Sequence, residues 1–273
     1  MVELLNKLLN IFILNTLYIS RRLVSITFEP IQRGNNMKSR LFLSTITAVI
    51  GITFSVSSLA WLEAGGERDE ALTLKPDHEN GIEVYEVCAG CHLTEGWGTK
   101  DGTFPQLAGQ HKEVLVKQLA DIREGNRDNP TMYPFALPES IGGAQALADV
   151  VTYTAKLPMN PDNGKGEWLE GTAEFTQGKK LYADNCVKCH GDNGEGMADK
   201  FYPKIQGQHY NYMMRQFEWI RDGKRRNANP DMVEQIKVFS DKDMQMVINY
   251  VSRIPVPKED LAPSKDWLNP DYD

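Results

Sequence analysis

A five-residue pattern occurs twice in this chain and uses all four of its cysteines. The copies are Cys88–His92 (Cys-Ala-Gly-Cys-His) and Cys186–His190 (Cys-Val-Lys-Cys-His). Cys-x-x-Cys-His is the attachment signature of a c-type haem, in which the thiols form thioether bonds with the porphyrin and the histidine binds the iron. The pattern therefore predicts two covalently attached haem c groups, held by Cys88, Cys91, Cys186 and Cys189, with His92 and His190 as proximal iron ligands.

Two other uses of paired cysteines fit this spacing less well. A thioredoxin-like redox pair needs no following histidine and does not normally occur twice in one chain. A zinc site would have to join cysteine pairs 95 residues apart, whereas the usual ribbon spacing is roughly 15–20 residues. Covalent haem is the interpretation that uses every residue of both patterns.

The sequence that follows each motif is repeated as well, at the same offset of 98 residues. Phe104–His111 (FPQLAGQH) returns as Tyr202–His209 (YPKIQGQH), and Asn129–Met132 (NPTM) returns two residues later than this offset as Asn229–Met232 (NPDM). Such a repeat indicates duplication of a unit of roughly 85–90 residues, near the lower end of domain size. The predicted organisation is domain 1 at 76–160, a linker at 161–170, domain 2 at 171–256 and a C-terminal tail at 257–273. The tail is rich in proline and aspartate and is expected to lie extended over the surface.

Each repeat is expected to be mostly helical. Leu115, Leu119 and Ile122 fall at i, i+4 and i+7, which places them on one face of a helix. The predicted helices are 81–87, 112–124 and 144–156 in the first repeat and 178–185, 210–222 and 241–253 in the second. The predicted fold class is therefore all-α, with two tandem helical domains that each wrap one haem.

The second axial ligand of each iron is predicted from the repeat, because a shared function belongs at a shared position. Met132 and Met232 are the only methionines that match between the halves, and each lies in an Asn-Pro-x-Met segment expected to be a loop. A thioether on the distal face closes the haem and raises its reduction potential. The alternative ligands are His111 and His209, which also repeat, although their place directly before a helix suits a capping or surface hydrogen-bonding role.

The N-terminus has the layout of an export signal. Residues 37–60 combine a short basic start, an apolar stretch and a final Ser-Leu-Ala triplet, which is typical of a cleaved secretory signal peptide. The alternative is an uncleaved membrane anchor, since the apolar stretch approaches the length that spans a bilayer. Residues 1–36 are interpreted as an extension upstream of the true start at Met37, or as an extra anchor. Export predicts a periplasmic protein, associated with the membrane only if its N-terminus is retained.

The charge of the chain argues against nucleic acid as a partner. Without residues 1–60 the chain has 24 Lys and Arg against 35 Asp and Glu. A protein this acidic repels phosphate backbones and favours a basic protein surface. A basic run at Lys224-Arg225-Arg226 is a candidate contact for an acidic partner or for the other domain.

Two Cys-x-x-Cys-His units, each followed by a Pro-x-(Leu/Ile)-x-Gly-Gln-His segment, a Gln-(Leu/Phe) helix and a late methionine, resemble the di-haem class I cytochromes c of the cytochrome c4 type. The resemblance covers roughly residues 76–256. It implies two helical cytochrome c domains packed about a pseudo-twofold axis, with the haems near the domain interface. It also implies that Pro105 and Pro203 lie close to the proximal histidines, and that Tyr153 and Tyr250 pack near the first helix of their domain.

The function that this resemblance implies is electron transfer. The protein is expected to be a periplasmic carrier between a respiratory donor and a terminal oxidase or reductase, with redox proteins as partners and no catalytic residues. The alternative is the haem subunit of a periplasmic oxidoreductase, such as a thiosulfate or sulfide dehydrogenase. That alternative requires an open haem, so it is favoured if Met132 or Met232 is not a ligand.

Overall fold

The repeats are seen in a computed structural model that describes residues 66–272. The predicted signal peptide (37–60) and the segment before it (1–36) lie outside the described residues. Within 66–272 the regular secondary structure is helical, and the extended pairing there consists of isolated bridges at Met159–Leu261 and Met197–Tyr202. No helix in this part of the chain is long and apolar enough to cross a membrane. The all-α prediction is confirmed.

The helices are numbered in chain order. The first repeat contains α1 (Gly66–Thr73), α2 (His78–His92), α3 (Lys112–Arg123), α4 (Tyr133–Ala136), α5 (Pro138–Ile141) and α6 (Ala144–Lys156). The second repeat contains α7 (Ala173–Asn185), α8 (Val187–His190), α9 (Tyr210–Arg221), α10 (Pro230–Ile236) and α11 (Asp241–Val251). Short 3-10 turns occur at Ala198–Lys200, Lys258–Asp260 and Pro270–Tyr272.

Side-chain caps explain why the motif helices begin earlier than predicted. The Asp77 carboxylate accepts hydrogen bonds from the backbone N–H groups of Glu79 and Asn80, so α2 starts at once after it. The Thr172 hydroxyl does the same at the start of α7. Helix α2 then runs through the whole first motif, whereas α7 ends at Asn185 and the second motif forms its own turn, α8.

In each repeat the first and last long helices cross at a glycine. A Cβ placed on Gly81 of α2 would lie 2.8 Å from the Asp149 carbonyl oxygen of α6. A Cβ on Gly178 of α7 would lie 2.1 Å from the Met246 carbonyl oxygen of α11. Only a residue without a side chain lets the backbones approach so closely. Tyrosine rings flank both crossings, with centroids 5.4 Å apart for Tyr85–Tyr153 and 5.5 Å apart for Tyr182–Tyr250.

The described residues form one compact unit with two apolar cores. The first core centres on Tyr85 and Leu147, which are fully buried, and the second on Met244 and Val247, each 1% exposed. Each core draws most of its side chains from the helices of its own repeat, and the C-terminal tail adds Ala262 to the first core. The repeats therefore meet through their surfaces and do not share one interior.

Two equivalent pairs of hydrogen bonds join the repeats, and each pair is made by one glutamine side chain. The Gln208 side chain accepts from the Gln106 backbone N–H (3.0 Å) and donates to its carbonyl (2.9 Å). The Gln110 side chain accepts from the Lys204 N–H (2.9 Å) and donates to its carbonyl (2.8 Å). These pairs are equivalent at the offset of 98 residues, so the interface has the pseudo-twofold symmetry that the resemblance implied.

The segment predicted as a linker is held closely against the second repeat. The Asn163 amide donates to the carbonyls of Gln208 (3.0 Å) and Ser252 (2.9 Å). The Gly164 N–H donates to His209 Nδ1 at 3.0 Å. Just before it, Met159 is 2% exposed, and its side chain lies against both Gly109 and Gly207. The polar residues of this segment make buried hydrogen bonds, and its glycines allow close packing, so the segment is not a free linker.

The C-terminal tail returns to the first repeat. The Met159 N–H donates to the Asp260 carbonyl (2.8 Å), and the Ala262 N–H donates to the Met159 carbonyl (2.9 Å). Beyond this point Trp267 and Tyr272 pack against the first apolar core. The tail was expected to lie extended over the surface; it instead includes two 3-10 turns and buries Ala262 and Asn269.

Candidate functional site

The first motif presents a histidine whose ring is oriented by the backbone. His92 ends α2 and is 4% exposed, and its Nδ1 lies 2.9 Å from the Pro105 carbonyl oxygen. A carbonyl oxygen can only accept a hydrogen bond, so Nδ1 carries the proton and the lone pair is on Nε2. Metal-binding histidines have this arrangement, in which the second ring nitrogen donates to a carbonyl and the first binds the metal.

The second motif repeats this geometry in a different local structure. His190 ends the single turn α8, and its Nδ1 lies 3.1 Å from the Pro203 carbonyl oxygen. Burial lowers the pKa of both His190 and His92, against the opposing effect of the carbonyl hydrogen bond. Both imidazoles are thus held in the neutral form that binds iron. The prolines lie beside the proximal histidines, as the resemblance implied.

The thiols do not have the properties of a redox-active pair. All four are free and half-buried. Burial raises the pKa of Cys88 to about 12, and the neighbouring Cys91 adds to this rise. Cys186 is raised to about 12 in the same way, by burial and then by Cys189. Redox-active and nucleophilic cysteines have a lowered pKa instead, so the raised values argue against thiol redox chemistry or nucleophilic catalysis at Cys88 and Cys186.

The predicted distal methionines lie in different settings. Met232 is in the first turn of α10, not in a loop, because Asn229 caps this helix and Pro230 starts it. It packs against the second apolar core, as does Cys186 of the motif. Met132 is half-buried at the start of α4, where its backbone N–H donates to Asn129. Among the described residues, the first core includes Cys88 but not Met132.

The competing histidines are used by the interface between the repeats. His209 Nε2 lies 2.6 Å from the Trp97 carbonyl oxygen, and His111 Nε2 lies 2.7 Å from the Glu195 carbonyl oxygen. Each histidine therefore reaches into the opposite repeat at an equivalent position. Neither side chain caps its helix, so the capping expectation is wrong. Both rings do make hydrogen bonds, but His209 is fully buried, so the expected place at the surface is wrong for it. These contacts leave Met132 and Met232 as the better candidates for the distal position.

One residue near the second motif was missed from the sequence. Burial raises the pKa of the Tyr202 hydroxyl, and the nearby Cys189 adds to this rise. Tyr202 is thus close to the motif and also to Asn229, the residue that caps α10. The first repeat has Phe104 at the equivalent position, with its ring 6.0 Å from the His92 ring. The sequence does point to Tyr202, because it replaces Phe104 at the first position of the repeated segment.

A pair of arginines lies where the repeats meet. Arg127 and Arg225 each donate to both Gln118 and Gln216, over 2.9–3.3 Å. Burial lowers the pKa of Arg225 to about 10, and repulsion from Arg127 contributes. Two guanidinium groups in one partly buried site suit an anionic ligand, and a haem carries two carboxylates. Of the basic run, Arg225 and Arg226 thus contact the first repeat, the latter through the Gly125 carbonyl at 2.8 Å.

The comparisons with known proteins point in the same direction. Residues 78–157 and 175–255 each match the family model Cytochrome c. The chain is 31% identical over 176 residues to cytochrome c4 of Azotobacter vinelandii, covering 60% of this chain and 83% of that protein. It is 33% identical over 175 residues to the thiosulfate dehydrogenase electron acceptor of Stutzerimonas stutzeri (strain A1501), covering 62% and 79%.

A solved structure gives the same result for the fold. The crystal structure of reduced recombinant cytochrome c4 from Pseudomonas stutzeri aligns with a TM-score of 0.56 and 28% identity, over 66% of this chain and 100% of that one. Two cytochrome c domains with complete motifs indicate two covalent haem c groups, one on Cys88 and Cys91 and one on Cys186 and Cys189. The family matches cover more than half of the chain. The chain therefore belongs to the cytochrome c family, with two tandem domains of the cytochrome c4 type.

Proposed function

We propose that this protein is a periplasmic di-haem electron carrier in which both irons have a histidine and a methionine as axial ligands. His92 and Met132 would bind the first iron, and His190 and Met232 the second. The observation that carries this proposal is the pair of neutral imidazoles, each with Nδ1 on a proline carbonyl and Nε2 available. When bound, each haem supplies an iron that exchanges one electron.

The residues of the chain would hold the haems and fix their potentials. The carbonyls of Pro105 and Pro203 orient the histidine rings and increase the basicity of Nε2. A thioether from methionine favours the reduced iron and keeps other ligands from the distal face. Arg127 and Arg225 are the cations suited to bind haem carboxylates near the interface. With the axial ligands fixed, electron exchange requires little rearrangement of the protein.

The redox partners and the location are proposed from the relatives, from the charge and from the predicted signal peptide. Relatives named cytochrome c4 and thiosulfate dehydrogenase electron acceptor support a role between a respiratory donor and a terminal oxidase or reductase. The acidic composition favours basic docking surfaces on these redox partners. The predicted signal peptide supports export to the periplasm.

Binding of external ligands tests the carrier role. The purified di-haem protein should bind neither carbon monoxide when reduced nor cyanide when oxidised at the rate of an open haem. Its oxidised spectrum should contain the weak far-red to near-infrared band of a methionine–iron bond, with the intensity expected for two haems. Rapid ligand binding at either haem would contradict the proposal.

A second candidate function is the haem subunit of an oxidoreductase acting on thiosulfate or sulfide. The observation that favours it is the position of Met132, half-buried at the start of α4 and outside the first apolar core. This candidate predicts that carbon monoxide binds one haem per protein and that the chain copurifies with a catalytic subunit. The carrier predicts neither result.

A further inference from the structure

The tail contacts the part of the first repeat that directly follows the haem motif. The family match of the second repeat ends at residue 255, and the chain continues beyond it. The Trp267 ring lies against the Trp97 ring, with centroids 5.9 Å apart and planes inclined by 37°. The Asn269 amide, in a residue 2% exposed, donates to the Thr94 carbonyl at 2.7 Å and contacts the Tyr153 hydroxyl at 2.8 Å.

The loop that the tail contacts is joined to His92 by short connections. The loop consists of residues 93–98 and directly follows His92. The Gly98 N–H donates back to the His92 carbonyl at 2.9 Å. The Tyr85 hydroxyl donates to the Leu93 carbonyl at 2.9 Å. Asn269 binds the very next carbonyl, that of Thr94. The tail therefore completes the set of hydrogen bonds that fixes the backbone on the proximal side of the first haem site.

The end of the tail is anchored on the helix crossing of the same repeat. The Tyr272 hydroxyl donates to the Ile82 carbonyl of α2 at 3.0 Å, and its ring packs edge-on against Tyr85 with centroids 6.2 Å apart. The Tyr153 hydroxyl of α6 donates to the Asp271 carboxylate at 2.9 Å. These contacts fix Trp267 and Asn269 from the C-terminal side.

The second repeat has an equivalent of the tyrosine hydrogen bond to the loop after the histidine, but no equivalent of the Trp267 and Asn269 contacts with that loop. The Tyr182 hydroxyl donates to the Gly191 carbonyl, which reproduces the bond from Tyr85 to Leu93. The position equivalent to Trp97 is Glu195, which offers no ring for an indole. His92 is 4% exposed, whereas His190 is only half-buried. The two haem sites thus differ in what lies against the loop after the histidine.

We infer that the tail, residues 262–272, is a positioning element for His92 that raises the reduction potential of the first haem above the value its own domain would give. This inference rests on the proposed function, because it requires a haem on His92. Burial and hydrogen bonding around a haem set its potential. By excluding water beside the proximal loop, Trp267 disfavours the oxidised iron, which carries one more positive charge. Asp266 and Asp271 act in the opposite direction, but both are exposed and screened by salt.

The test compares two tail variants of the full-length holoprotein by haem-resolved redox titration. The double variant Trp267→Ala/Asn269→Ala removes the cover, and Leu268→Ala changes the exposed residue between them (65% exposed) as a matched control. Paramagnetic NMR lines of the haem methyl groups report each haem separately. In the double variant, the first haem should shift threefold to tenfold toward the oxidised state, roughly 30–60 mV lower. The second haem and the control should not move.

Several results would overturn the inference. An unchanged first haem, or equal shifts at both haems, would show that the tail only stabilises the fold. The single variant Trp267→Phe keeps an aromatic ring, so the potential of its first haem should stay close to that of the unmodified protein. A potential as low as that of the double variant would show that the aromatic ring has no role. If the double variant loses its haem, Asn269→Ser replaces it under the same criterion. Failure of the proposed function is distinguishable, because the unmodified protein would then lack a histidine–methionine haem on the first motif.

Discussion

Replacing Gln208 with alanine should weaken the contact between the repeats more than the same change at Gln110. Each glutamine bonds both backbone groups of one residue in the opposite repeat. The Gln208 bonds are buried, so the N–H and carbonyl of Gln106 lose their partners with no access to water. An unsatisfied buried group costs about 1–3 kcal/mol, which gives about 2–6 kcal/mol for the two groups. The Gln110 bonds are only partly buried, and water can replace them at the net value of about 0.5–1.5 kcal/mol each.

Equilibrium unfolding in guanidinium chloride measures this difference. Haem absorbance and far-ultraviolet circular dichroism follow the transition in the unmodified protein, in Gln208→Ala and in Gln110→Ala. Gln208→Met keeps the length of the side chain and separates loss of hydrogen bonds from loss of volume. The free energy of unfolding should fall about twice as far in Gln208→Ala as in Gln110→Ala. Equal losses, or a larger loss at Gln110, would refute the assignment of a buried and a solvated half to this interface.

Two further changes follow from the packing and from the protonation of single residues. Gly178→Ala should separate α7 from α11, because its Cβ would lie 2.1 Å from the Met246 carbonyl oxygen. Thermal unfolding should show an overpacking cost of about 1–3 kcal/mol, and an unchanged free energy of unfolding would contradict this close helix crossing. Burial lowers the pKa of His209, so its contribution to stability is present above its unfolded pKa of about 6.5 and is lost as the pH falls through its folded pKa. The free energy of unfolding should therefore fall between pH 7 and 5 more steeply in the unmodified protein than in His209→Gln, with His111→Gln as the control; parallel slopes would contradict this account.

The helical class and the duplication could be predicted because both follow from local patterns. The period of Leu115, Leu119 and Ile122 places them on one helical face, and α3 forms over the predicted residues to within one position. The start of α2 was placed three residues late, since a capping aspartate at Asp77 satisfies the first N–H groups before any apolar residue appears. The Asn-Pro-x-Met pattern predicts a loop where the structure has the short helix α10, because these four residues do not reveal that the helix continues to Ile236.

Contacts between the repeats could not be predicted from either repeat alone. His111 and His209 each stand directly before the middle helix of their repeat, and only the assembled pair shows that each reaches a carbonyl of the other repeat. The tail gives the same lesson. Its proline and aspartate content suggested an exposed extension, but Trp267 and Asn269 find their partners far away in the sequence, at Trp97 and Thr94. Long-range pairs of this kind carry no local signal.

The most direct test of two histidine–methionine haems is a redox titration of the unmodified protein and of Met132→Ala and Met232→Ala, with Met214→Leu as the control. Each alanine variant should lose half of the far-red band and lower the potential of one haem, by part of the roughly 0.8 V range that axial ligands span. The other haem and the control should keep both properties. A methionine variant with an unchanged spectrum and unchanged potentials would contradict the assignment of that ligand, and with it the account of a closed electron carrier.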